Sequence, residues 1–187
     1  MTDRALTLPL ARADVAVAAR TGVCAALIGA AVIHGTVVSE HYALWPLAGL
    51  FFLGTQLVEG ALAIAAVYAW HRRTAQLVFV TSIATVFVWL VSRAFGMPFG
   101  PAAFRTPEAI GVPDLACCVL ELGAALLAAP LAFSPRPRRR AQRAQVGRLG
   151  LVLAGSLAVL LLAVATWGLL PSISGTTVPH AHLHSGS

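Results

Sequence analysis

Residues 44–70 read LWPLAGLFFLGTQLVEGALAIAAVYAW, a run of 27 residues in which Glu59 is the only charged side chain. As a helix rising about 1.5 Å per residue it is roughly 40 Å long, more than the hydrocarbon core of a bilayer, which is about 30 Å thick. Trp45-Pro46 supplies a helix start suited to a membrane interface, and Tyr68 and Trp70 at the far end match an aromatic belt. This stretch decides the fold class, because it reads as a membrane-spanning helix.

The rest of the chain agrees. Of 187 residues, 58% are apolar and 11% charged, against about 45–50% and about 25% in an ordinary soluble domain. All thirteen basic residues are arginines, and against seven acids they leave a formal charge of +6. A basic balance can signal nucleic acid, but these arginines sit between apolar runs, where they report topology, so no nucleic-acid partner is expected. Four more runs are long enough to span, at 21–38, 75–95, 112–133 and 149–170. The expected fold is all-α, with five transmembrane helices. Four of them form a core bundle over 21–133, and the fifth (149–170), with only Ser156 and Thr166 as interior polar residues, lies at the periphery.

Arginine placement orients this bundle, since cytoplasmic flanks retain positive charge during insertion. Arg4, Arg12 and Arg20 lie in the segment 1–20, Arg72 and Arg73 join the second and third helices, and six more fill the connection 134–148. Eleven thus fall on one side, and Arg93 and Arg105 on the other. The N terminus is expected inside and the C terminus outside, with the bacterial inner membrane as the location. The first run has features of a secretory signal, but Asp3, Asp14 and His34 favour a retained anchor. The Arg-rich connection also suits anionic lipid. The connection 96–113, with four prolines and three glycines in eighteen residues, is expected to be a turn cluster or lid on the outer side. Residues 171–187 form an external tail.

Polar side chains inside the spans carry the functional information, because a charge in hydrocarbon costs several kcal/mol, on the order of +2.5–3.5 by insertion scales, and must face a partner or cavity. His34 and His41 are seven apart, with Glu40 beside them. Asp114 and Glu121 are also seven apart, with Cys117 and Cys118 between them, a continuous stripe on one helix. Counted from the expected helix ends, His34 is about 6 Å deep and Glu121 about 13 Å deep, so that His34, His41, Glu40, Arg93, Asp114 and Glu121 surround one outward-facing pocket. Glu59, about 22 Å from the start of its helix, is expected in the inner half near Arg20 or Thr81, outside that pocket. With Gln56 and Arg93 it belongs to a polar network.

Imidazole with carboxylates suits a transition metal, and copper or zinc is the expected cofactor. His34, His41, Glu40, Asp114 and Glu121 are the candidate ligands. His180, His182 and His184 alternate in the tail, so in an extended segment they project to one side as an accessory chelator. Neither HExxH nor a CxxC pair occurs. The competing reading is a structural network in which Arg93 pairs with Asp114 or Glu121 and His34 bonds a neighbouring carbonyl. The cysteines read as small apolar packing, with a thiolate ligand as the alternative for whichever faces Glu121. Gly22, Ala26 and Ala30 form a seam for close helix packing.

The stretches IHGTVVSEH (33–41), LWPLAGLFFLGTQL (44–57), SRAFGMPFGP (92–101) and PEAIGVPD (107–114), with Glu121, resemble multi-pass membrane proteins of high-GC bacteria that have no assigned activity. The resemblance covers about His34 to Glu121 and implies architecture, not catalytic residues. Three functions are expected in order: binding or handling of a cation in the outward pocket; an enzyme using a bound metal or a His and carboxylate pair; and an accessory subunit with a membrane-protein partner or a second copy of the chain.

Overall fold

The computed structural model describes residues 4–135 and Ser156, with side chains from Asp14 onward. Four α-helices make up this part: α1 (Arg4–Leu44), α2 (Pro46–Tyr68), α3 (Arg72–Ala94) and α4 (Val112–Ala132). Each is long and apolar enough to cross a membrane, α1 through its Asp14–Leu44 portion. The fifth run (149–170), the Arg-rich connection and the histidine tail lie outside the described residues, Ser156 excepted.

Local chemistry sets the helix ends. Pro46 pushes the residue before it into extended backbone, and Trp45 (φ −157°, ψ 105°) is the single residue separating α1 from α2. The two helices fold back on each other as an antiparallel hairpin. At the start of α3, His71 Nδ1 accepts from the Thr74 amide at 3.2 Å. Arg72 Nε and Gln76 Nε2 both donate to the Ala132 carbonyl at 3.2 Å, so the first turn of α3 satisfies the last turn of α4. The α4 N-terminus carries Pro113 in its first turn, and Asp114 Oδ2 accepts from the Gly111 amide at 2.8 Å.

Sequential packing of α1 on α2 and α4, and of α3 on α4, gives an up-down four-helix bundle whose α2 and α3 touch only sparsely. Half of the α1 and α4 spans are buried, against 28% of α2 and 22% of α3, so α1 and α4 form the inner pair. Their seam is made of small residues: Ala26 and Ala30 on α1, and Ala116, Ala124, Ala128 and Ala132 on α4, are all fully buried. Backbones approach closely along such a seam. Val23, Leu27, Val78 and Leu120 fill the space around it.

The connection between α3 and α4 is the expected turn cluster, with one 3-10 turn at Ala102–Phe104. Gly96 (φ 74°) and Gly100 (φ 103°) hold left-handed backbone that other residues rarely adopt. A Cβ at Gly96 would strike the Arg105 carbonyl. The fold of this segment drives Phe104 inward, 8% exposed, against Trp45.

Two expectations change. The first helix extends past Val38 to Leu44, because nothing between these residues breaks it before Pro46. His34 therefore lies ten residues, about 15 Å, below the end of α1 instead of about 6 Å. It sits in the middle of the bundle, and this moves the candidate site.

Candidate metal centre

At mid-bundle, α1, α2 and α4 each contribute an ionisable side chain to one buried cluster. His34 Nδ1 lies 3.0 Å from Glu59 Oε2, and His34 Nε2 lies 3.4 Å from Cys117 Sγ. One neutral tautomer satisfies both contacts: Nδ1–H donates to the Glu59 carboxylate, and the thiol donates to Nε2. Glu121, one turn beyond Cys117 on α4, completes the group, and the donor atoms of His34, Cys117 and Glu121 all lie within 4.8 Å of one another. His34 is 5% exposed, Glu59 0%, Cys117 7% and Glu121 1%.

Depth along the helices explains the convergence. Glu59 is thirteen residues into α2, about 20 Å, and Glu121 nine residues into α4, about 13 Å. With His34 about 15 Å down α1, all three meet at one level. Glu59 does not line the cavity, but the expectation that it stands apart from His34, near Arg20 or Thr81, is corrected by the longer α1, which brings the two within 3.0 Å.

The cluster has surplus acceptors. Both Glu121 oxygens and Glu59 Oε1 are buried and meet no other donor among the described residues; the two carboxyls lie side by side, close enough to hydrogen-bond one another, and Ser82 stands next to Glu121. Ser82 Oγ is likewise buried, with Glu121 as its polar neighbour. No arginine among the described residues pairs with either carboxyl, because Arg93 is engaged elsewhere. Buried polar groups are nearly always satisfied, and those left over mark strain, an unseen ligand or function.

The donor set fits a metal ion. A tetrahedral ion with bonds of about 2.0–2.3 Å has ligand atoms about 3.3–3.8 Å apart, so the His34–Cys117 spacing already suits it, and Glu121 needs only a small side-chain movement. Glu59 occupies the position of an outer carboxylate that fixes the tautomer of a metal-bound imidazole. Three ligands leave a fourth position, and His34, Cys117 and Glu121 all border a cavity of about 590 Å³ that rises from the cluster toward the α3–α4 connection.

A second polar group lines the upper end of that cavity. Arg93 on α3 pairs with Glu108 of the connection and, at 2.9 Å, with Asp114 on α4. This clamp ties the turn cluster to two helices. It matches one half of the structural-network reading, in which Arg93 pairs with Asp114; His34, however, meets a carboxyl and a thiol, not a carbonyl.

The remaining candidates divide by level. His41 lines the upper cavity, its Nδ1 donating to the Val37 carbonyl at 2.9 Å and its ring 4.4 Å from that of Phe52. Asp114 is held by Arg93 and the Gly111 amide, and Glu40 is exposed and outside the cavity. Gln56 covers Gly35, where a Cβ would lie 2.5 Å from its Nε2, so it marks a close α1–α2 approach. His180, His182 and His184 lie outside the described residues. Cys117 is the member the spacing left open: only its direct approach to His34 separates it from Cys118, and no sequence signal does so.

No protein-family model, no curated protein and no solved structure matches this chain, so the resemblance to bacterial multi-pass proteins rests on the quoted stretches alone.

Proposed function

We propose that the protein binds a transition-metal cation at His34, Cys117 and Glu121, with Glu59 orienting His34, and handles it from the side of the α3–α4 connection. The carrying observation is a buried imidazole, thiol and carboxyl with donor atoms within 4.8 Å of one another, beside a second buried carboxyl and with no arginine to neutralise them among the described residues. Mixed nitrogen, sulfur and oxygen donors suit a first-row transition ion; copper and zinc are the leading candidates. In this reading a five-span protein lies in the bacterial inner membrane with its N terminus in the cytoplasm, the cavity opens outward, and the tail histidines 180, 182 and 184 gather the cation. Lipid is the immediate surrounding, and a membrane-protein partner or a second copy covers the exposed faces.

One observation favours an enzyme as the second reading. The three donors border a cavity large enough for a small organic molecule, so a metal there would have an open position for water or substrate. Metal analysis of detergent-purified, metal-loaded protein tests the first reading. One ion per chain is expected in the wild type and in His41→Ala, and a loss of most of it in His34→Ala and Cys117→Ser. Absence of bound metal under every loading condition leaves the accessory-subunit reading in its place.

A further inference from the structure

The cavity above the cluster is a site in its own right. Its volume of about 590 Å³ falls in the range of roughly 300–1,000 Å³ that takes small organic ligands. Its walls are mainly apolar, and aromatic rings crowd the upper half: Trp45 lies 5.7 Å from Phe99 and 5.3 Å from Phe104. Leu47, Leu50 and Phe51 on α2 line the cavity and are 54%, 53% and 39% exposed. α2 and α3, which both line the cavity, touch each other only sparsely, so the gap between them offers a lateral route to it among the described residues.

Three features define the occupant. The apolar walls and lateral opening select a molecule soluble in the bilayer. The one arginine lining the cavity, Arg93, has its charge matched by Glu108 and Asp114, with only its Nε left without a partner, and Glu121 lies at the floor, so an anionic head meets acids in excess of the cation. The indole Nε1 of Trp89, a residue of the α3 wall, is buried and has no hydrogen-bond partner among the described residues, so a small rotation of the ring would offer this donor to an acceptor oxygen in the cavity. We propose that this cavity binds an uncharged, oxygen-bearing lipophile, a ring carbonyl or phenol with an apolar tail, that enters from the bilayer between α2 and α3. The site stands on cavity shape and Trp89, and it holds whether or not a metal occupies the cluster below.

The test uses full-chain protein stripped of metal by chelator, titrated with a decyl-tailed benzoquinone and read by native mass spectrometry. The wild type and Leu126→Phe, altered on an exposed face of α4, are expected to form a saturable one-to-one adduct. Ala48→Phe, which fills the α2 wall, is expected to lose it, and Trp89→Phe to bind about fivefold more weakly, the loss of one hydrogen bond. Helical circular dichroism identifies a variant that fails to fold, in which case the other cavity variant decides. Adduct formation that does not saturate, or is equal in the wild type and the folded cavity variants, overturns the proposal. Tighter binding of palmitate than of the quinone overturns the assignment of an uncharged ligand.

Discussion

Replacing Glu121 with leucine should make the metal-free protein more stable. The side chain is 1% exposed, its polar neighbours are a second carboxyl, Glu59, and the Ser82 hydroxyl, neither of which offers it an amide or cationic donor, and no arginine pairs with it. A buried polar group without a partner costs roughly 1–3 kcal/mol, and leucine fills a similar volume among apolar neighbours without that cost. For a chain of this size about 3 °C accompanies each kcal/mol, so Glu121→Leu should raise the melting temperature by roughly 3–9 °C. The assay is thermal unfolding in detergent micelles followed by circular dichroism, with chelator present. Metal added afterwards should stabilise the wild type and leave the variant unchanged, because a ligand that binds only the folded state raises stability by mass action. A drop in melting temperature in Glu121→Leu would refute the reasoning. It would mean that the carboxyl is part of a satisfied network holding the helices in register, as an accessory subunit requires.

Other perturbations test the frame around the site. Arg93→Met removes the cation shared by Glu108 and Asp114 and should destabilise by about 3 kcal/mol, the lower end for breaking a largely buried pair; faster tryptic cleavage after Arg105, read by mass spectrometry, reports the freed connection. Gly96→Ala places a side chain on left-handed backbone and against the Arg105 carbonyl, and a loss of about 1–2 kcal/mol is expected in thermal unfolding. Gly49→Val should cost about 1–3 kcal/mol, since its Cβ would meet the backbone of Tyr42 where α2 crosses α1. An unchanged melting temperature in either glycine variant would contradict the corresponding close approach.

The long apolar helices were legible because crossing hydrocarbon demands a length and composition that the sequence shows directly. Residues 44–70, 75–95 and 112–133 match α2, α3 and α4 to within a few residues at each end. The turn cluster was legible for a similar local reason, since proline and glycine constrain the backbone directly. Depth was not. Placing the end of α1 at Val38 put His34 near the surface and Glu59 in a different half, whereas continuation to Leu44 brings them to hydrogen-bonding distance. Nothing inside the helix marks an end before Pro46, and the six residues from Val38 to Leu44 amount to about 9 Å. The choice between Cys117 and Cys118 was also hidden, because adjacent residues on a helix point about 100° apart and only the position of α1 shows which one meets His34.

Cobalt(II) loading of the full chain, read by electronic absorption, tests the central claim most directly. A cobalt ion held by His34, Cys117 and Glu121 should give intense visible bands of a four-coordinate site and a near-ultraviolet sulfur-to-metal charge-transfer band. That band should vanish in Cys117→Ser and persist in Cys118→Ser. A six-coordinate spectrum without the sulfur band in the wild type, or a sulfur band that survives Cys117→Ser, would contradict the assignment of the metal to this cluster.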